Sequence, residues 1–197
     1  MAAGAVRRQP SATGADGDES ELLELIRSRS FRFGKFTLSS GAESDLYFNL
    51  KPTMMDPRGA HLSARAFLTR ILAEGVDYIG GLEMGAVPLI ASVAALSDIE
   101  GAPVRTFFVR KQAKAYGTKD VIEGLGPGES LEGKRVLVAD DVATTGASCM
   151  KAIDAARGAG AIVDVALVLV DREEGGEAFL REQGVKLLTV FTGSQFR

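Results

Sequence analysis

The chain has 197 residues, 46% hydrophobic and 25% charged, with a formal net charge of −3. That is ordinary for one soluble globular domain with a sizeable core, and it supplies no general attraction to nucleic acid or to an anionic membrane. A single cysteine, Cys149, excludes an internal disulfide, and the only histidine, His61, leaves little basis for histidine-centred catalysis or a zinc site.

Residues 1–19 are rich in Ala, Gly, Ser and Asp and lack the apolar stretch of a secretory signal. They read as a disordered extension, with residues 20–197 as one domain and a cytoplasmic location expected. Ser20 is expected to cap a first helix that buries Leu22, Leu23, Leu25 and Ile26. Residues 36–41 and 44–50 predict a short β-hairpin outside the main sheet. A helix over 57–74 carries Leu62, Phe67, Leu68, Ile71 and Leu72 at helical spacing. A strand at 78–81, an apolar helix at 87–96 and a strand at 104–109 follow. Residues 110–130 form a long charged loop with many glycines, and such loops are often functional. The C-terminal part reads as a strand from Arg135, a helix from Ala147 capped by Gly158, a strand at 162–170, a helix at 177–183 and a strand at 185–191. Alternation of strand and helix from Tyr78 onward predicts an α/β fold, a mainly parallel sheet flanked by helices. Ligands are then expected at the C-terminal strand ends.

The segment 135–148 carries the most chemistry. Val136, Leu137, Val138 and Ala139 read as a buried strand. Asp140 and Asp141 stand at its end, expected as exposed carboxylates with little part in packing. Val142, Ala143 and a Thr144-Thr145-Gly146 turn follow, and Ala147 and Ser148 open a helix. A loop between a strand end and a helix start presents unpaired N–H groups, and the helix dipole favours an anion there. Hydroxyls from Thr144, Thr145 and Ser148 complete a phosphate cradle. The acids would repel that phosphate unless they faced something else: sugar hydroxyls, Mg²⁺, or charge that turns positive during reaction. Rival motifs fail. Residues 128–135 nearly spell a P-loop, yet Arg135 stands where Ser or Thr must bind Mg²⁺. Residues 158–163 begin like a dinucleotide fingerprint, yet Val163 replaces its third glycine. Cys149 reads as a buried structural thiol and His61 as a helix-surface residue.

Segment 135–148 closely resembles the 5-phosphoribosyl 1-diphosphate (PRPP) signature of the type I phosphoribosyltransferases. Three further motifs narrow the resemblance to the orotate phosphoribosyltransferase family. They are Arg110-Lys111 with Lys114 and Gly117, the run from Phe33 to Gly41 followed by Ser44 and Tyr47-Phe48-Asn49, and Val170-Asp171-Arg172. The likeness covers nearly all of residues 20–197. It implies a phosphoribosyltransferase fold with a small N-terminal hood of hairpin and helix. It implies transfer of ribose 5-phosphate from PRPP to orotate, giving orotidine 5′-phosphate and pyrophosphate. Mg²⁺ would be the cofactor, carried mainly by PRPP with no direct protein ligand assigned, and the protein would be a homodimer with shared active sites.

The resemblance also assigns roles. Arg110, Lys111, Lys114 and Tyr116 would contact PRPP, and Asp140, Asp141, Val142, Ala143, Thr144, Thr145, Gly146, Ala147 and Ser148 would hold its ribose 5-phosphate. Lys114, Asp140 and Asp141 would be catalytic, Lys114 with the largest effect. Thr144 and Arg172 would contact orotate. Phe48 would pack on the pyrimidine face or serve as a core aromatic. Tyr116 stands where many members carry a histidine, and it keeps a hydrogen-bond donor without a positive charge near neutral pH. Ser39 and Gly85 fall where some members carry lysines. Two other readings compete, a PRPP-sensing regulator and a transferase for another nucleobase. The basic loop speaks against the first, the hairpin and Arg172 against the second.

Overall fold

Alternate burial along two central strands organises the molecule, seen in a computed structural model that describes residues 15–37, 43–112 and 121–197. In β6 (Arg135–Ala143), Leu137 and Ala139 face one helical layer, while Val136 and Val138 face the other. In β7 (Ile162–Asp171), Val165, Leu167 and Leu169 face the first layer, and Ala166 and Val168 the second. Strands buried on both faces read as continuous apolar runs, as these do. The sheet is completed by β3 (Tyr78–Leu82), β4 (Arg105–Val109), β5 (Ile122–Glu123) and β8 (Lys186–Thr192), in the order β5-β4-β3-β6-β7-β8. All pairings are parallel except β4 with β5.

The first layer holds α1 (Ala15–Arg29), α3 (Pro57–Glu74) and α4 (Val87–Ile99). The second holds α5 (Ala147–Gly158) and α6 (Gly176–Glu182). Helix α3 has the bounds that the sequence predicts, because both ends are written locally. Asp56 accepts from the amides of Arg58 and Gly59, Pro57 occupies the first turn, and Gly75 closes the helix at φ 65°. Among the described residues no helix is long and apolar enough to cross a membrane.

The hood consists of α1, the hairpin β1 (Phe31–Thr37) and β2 (Glu43–Phe48), and the short α2 (Lys51–Met54). The hairpin forms its own two-stranded sheet. It is fastened to the body by aromatic contacts: Phe196 lies 5.4 Å from Phe31, 5.0 Å from Phe48 and 6.3 Å from Phe191 between ring centroids. Polar bonds support them. Ser30 Oγ shares a buried hydrogen bond with Thr53 Oγ1, and Arg27 donates to the carbonyl of Gln195.

Several boundaries differ from the expectation. Helix α1 begins at Ala15, so Ser20 lies within it and not at its start, and residues 15–19 are helical. The cause is tertiary: Asp18, Glu19 and Glu21 pair with Arg58, Arg65 and Arg70 of α3. Residues 1–14, for which disorder is expected, lie outside the described residues. Strand β1 starts at Phe31 because that ring packs 5.1 Å from Phe48. Gly158 stays inside α5, and Ala159 and Gly160 (φ 83°) make the turn instead. Helix α2 and strand β5 are additional to the sequence reading.

Phe196→Ala should destabilise the protein by about 3–5 kcal/mol, because it removes the ring that joins hood to sheet. The denaturant midpoint measures this, and a loss below about 1 kcal/mol would show that the hood is held by its other contacts, such as the buried Leu22, Ile26 and Met54, and not by the aromatic knot.

Candidate functional site

Strand β6 does not stop at the acids. It pairs with β7 up to Ala143 opposite Asp171, which makes Asp140 and Asp141 strand residues. Asp140 is only 5% exposed, and Asp141 is half-buried. The expectation of two exposed loop carboxylates is therefore corrected: continued pairing with β7 draws Asp140 into the sheet. Each carboxylate is oriented by the next amide. Asp141 N–H donates to Asp140 Oδ1 at 2.9 Å, and Val142 N–H donates to Asp141 Oδ1 at 2.9 Å. The Lys51 ammonium stands 4.0 Å from Asp141 Oδ2. The loop from β3 to α4 closes over the pair. A Cβ at Gly85 would lie 2.7 Å from Asp141 Oδ1 and 2.8 Å from Asp140 Oδ1, so a side chain there would displace the acids.

Burial, and then the charge of Asp141, push the Asp140 carboxyl well above its ordinary range, while Lys51 opposes the shift. Cys149 lies behind the acids. Burial and the charges of Asp140 and Asp141 push its thiol up, so it stays protonated and structural, as the sequence predicts.

The turn Thr144–Gly146 leads into α5. Gly146 is the residue before the helix, at φ 79°, and no side chain caps that end among the described residues. The bond from Met150 N–H to Gly146 O leaves the amides of Ala147, Ser148 and Cys149 as first-turn donors. Thr145 and Ser148 are exposed beside them, and Thr144 is half-buried. The turn is buttressed by α6: a Cβ at Gly176 would lie 3.0 Å from Thr144 O and 3.2 Å from Gly146 N. The arrangement suits an anion next to hydroxyls, which is the form of a sugar phosphate.

On the hood side stands Arg172, just past β7 and buried. Its amide donates to Ala143 O, and its Nη2 donates to Leu46 O at 3.1 Å and Glu174 Oε1 at 2.6 Å. The guanidinium thus ties the hairpin to the sheet and already faces one carboxylate. Phe48 belongs to the aromatic knot with Phe31 and Phe196, which is the core-aromatic role among the two expected of it. Asp171 accepts from Glu173 N–H, and burial pushes its carboxyl up.

The base of the basic loop is pinned. Arg110 N–H donates to Val121 O, and its guanidinium turns to Glu123 at 3.5 Å and to the carbonyl of Gln112. Lys111 N–H donates to Glu83 Oε1 at 2.8 Å, and its side chain is exposed. Lys114, Tyr116 and Ser39 lie outside the described residues. The described site residues gather at the C-terminal edge of β3, β4, β6 and β7. Sequence reasoning missed Lys51, Glu83, Gly85 as a spacing constraint, and Glu174. Lys51 stands two positions after the Tyr47-Phe48-Asn49 motif, a signal available in the sequence, whereas nothing local marks Glu83. Among the described residues no group of three or more His, Cys, Asp or Glu side chains is placed to hold a metal ion.

Comparison with known proteins shows the family. Residues 56–181 match the model of the phosphoribosyl transferase domain. The chain is 51% identical over 177 residues to the orotate phosphoribosyltransferase of a Bradyrhizobium species, covering 90% of this chain and 96% of that one. It is 40% identical over 172 residues to the orotate phosphoribosyltransferase of a Nostoc species, covering 87% of this chain and 82% of that one. Among solved structures it is similar to the Mycobacterium tuberculosis orotate phosphoribosyltransferase in complex with PRPP, with a TM-score of 0.74 at 30% identity. That match covers 91% of this chain and 98% of the other.

Asp140→Asn should stabilise the protein at neutral pH while lowering turnover. Below about pH 4 both folded and unfolded chains hold the Asp140 proton, so the aspartate costs nothing. As pH rises the unfolded chain ionises first, and the folded state loses ground until the raised folded pKa is passed. Thermal melts of both proteins across pH should therefore show a gap that is absent in acid and opens upward. A gap independent of pH would contradict the burial account.

Proposed function

Because the chain belongs to the orotate phosphoribosyltransferase family, we propose a division of labour for the cleft over β6 in moving ribose 5-phosphate from PRPP to a ring nitrogen of orotate. The observation that carries it is the uncapped start of α5 beside two oriented carboxylates. The first-turn amides and the hydroxyls of Thr144, Thr145 and Ser148 bind the 5-phosphate, and Gly146 lets it approach. Asp140 and Asp141 accept from the ribose hydroxyls. Their charge also favours the positive character that develops at the sugar as the bond to pyrophosphate breaks. No covalent intermediate with the protein is needed.

Arg172 and Thr144 bind orotate. A planar guanidinium matches the substrate carboxylate, and Glu174 holds it in place until orotate arrives. Lys111 and Lys114 balance the departing pyrophosphate. Arg110 supports them at the loop base through Glu123, and Tyr116 donates a hydrogen bond. Phe48 acts through the aromatic knot, shaping the wall beside the base. When present with PRPP, Mg²⁺ would supply further charge neutralisation on the leaving group. Among the described residues the chain offers it two adjacent carboxylates and no closed site, a set that fits a metal delivered by substrate phosphates. The reading places the reaction in the cytoplasm.

The test is orotate absorbance, which should fall on adding PRPP and Mg²⁺ and stay constant with uracil, adenine or hypoxanthine in its place. Consumption of a purine, and none of orotate, would refute the substrate assignment. Arg172→Ala should raise the KM for orotate about tenfold to a hundredfold, the equivalent of a lost charge-assisted bond of roughly 1.5–3 kcal/mol, and that for PRPP by less.

The protein acts, in the same proposal, as a homodimer in which each basic loop serves the neighbouring site. This part rests on the family resemblance. Mixing the inactive variants Lys114→Ala and Asp141→Asn should restore activity towards half of wild type in the mixed dimers. Both defects then fall in one site and the other is intact. No recovery, with subunit exchange verified, would mean that each loop serves its own chain.

A further inference from the structure

Glu83 has no part in the chemistry assigned above, yet it joins two parts of the site. Strands β3 and β4 pair for the last time at Leu82 and Val109. Beyond that pair, Glu83 N–H donates to Val109 O at 2.8 Å, and Glu83 Oε1 accepts from Lys111 N–H at 2.8 Å. One residue thus makes two bonds that straddle Arg110. The Arg110 amide points the other way, to Val121 O at 2.8 Å. The side chain of Glu83 replaces the backbone carbonyl that a longer β3 would have supplied. It carries the pairing one step further, to Lys111.

The same loop reaches the acids. Gly85, two residues on, packs directly against the carboxylates of Asp140 and Asp141. A carboxylate beside a polyphosphate site repels the substrate. Its presence there calls for a compensating contact, and the Lys111 amide is the contact it makes.

We propose that Glu83 is a positioning residue, whose carboxylate oxygen fixes the backbone of Lys111 so that the Lys111 ammonium is presented to the diphosphate of PRPP. This rests on the reading of Lys111 as a PRPP contact. Glu83→Ala removes the acceptor and frees the start of the basic loop. Glu83→Gln keeps an acceptor oxygen at the same reach.

Steady-state kinetics on the full-length protein decide the matter. Glu83→Ala should lower kcat/KM for PRPP about tenfold, the scale of one lost hydrogen bond, with the KM for orotate within about twofold of wild type. Glu83→Gln should restore the wild-type value within about twofold. In a Lys111→Ala background, which keeps the backbone bond and removes the ammonium, Glu83→Ala should add little, because the two act as one unit. An unchanged Glu83→Ala enzyme overturns the proposal. So does a Glu83→Gln variant as impaired as the alanine, equal loss towards both substrates, or full additivity with Lys111→Ala. In each of these cases the reading of Lys111 survives if Lys111→Ala alone is impaired. Wild-type kinetics for Lys111→Ala would overturn that reading and the proposal together.

Discussion

The buried carboxylate of Asp140 is the constraint around which the site is arranged. An acid with 5% exposure is costly, and the chain meets the cost from three directions. The next amide donates to it, Lys51 brings a positive charge near the pair, and Gly85 withholds a side chain so that the loop before α4 can close over it. None of these removes the penalty, as the direction of the Asp140 shift shows. A protein selected only for stability would place an amide or an apolar residue here. In the proposed mechanism the aspartate is the anionic acceptor for the sugar, which sets activity against stability.

The turn before α5 and the hood are anchored to that centre by different means. The turn at Thr144 is set by close backbone contact, with Gly146 and Gly176 allowing α6 to lie against it. The hood is set by rings and one guanidinium. Phe196 fills the space between Phe31, Phe48 and Phe191, and Arg172 reaches from the end of β7 to the carbonyl of Leu46. Arg172 is thus a structural tie and, in the proposed function, also the orotate contact, at the seam between hood and sheet.

The parts of the structure legible in the sequence are those whose causes are local. Helix α3 is bounded by Asp56-Pro57 and Gly75, and both ends fall where those residues place them. The core strands announce themselves by apolar runs, and the turn after Asp141 by its threonines and glycine. The misplaced features have distant causes. Helix α1 extends to Ala15 because arginines on α3 hold its acidic turn, and β1 extends to Phe31 because Phe48 and Phe196 receive its ring. Asp140 was expected on a loop, since an acid after an apolar run usually ends a strand; pairing with β7 carries β6 on to Ala143. Glu174 and Glu83 were invisible because each acts on a group that its own neighbourhood in the sequence does not reveal.

The aromatic knot has a consequence for the order in which the molecule assembles. Arg27 and Gln195, whose bond flanks the knot, are 168 positions apart. Contacts of such separation form only after most of the intervening chain is ordered, because the entropy of closing so long a loop must be offset by a body already folded. The hairpin is therefore expected to seat late, on a sheet already formed. By the same reasoning it is expected to open before β6 and β7, which amide hydrogen exchange would read. A ligand held between hairpin and sheet, as proposed for the base, would close that opening and so fasten the hood as well as fill the cleft.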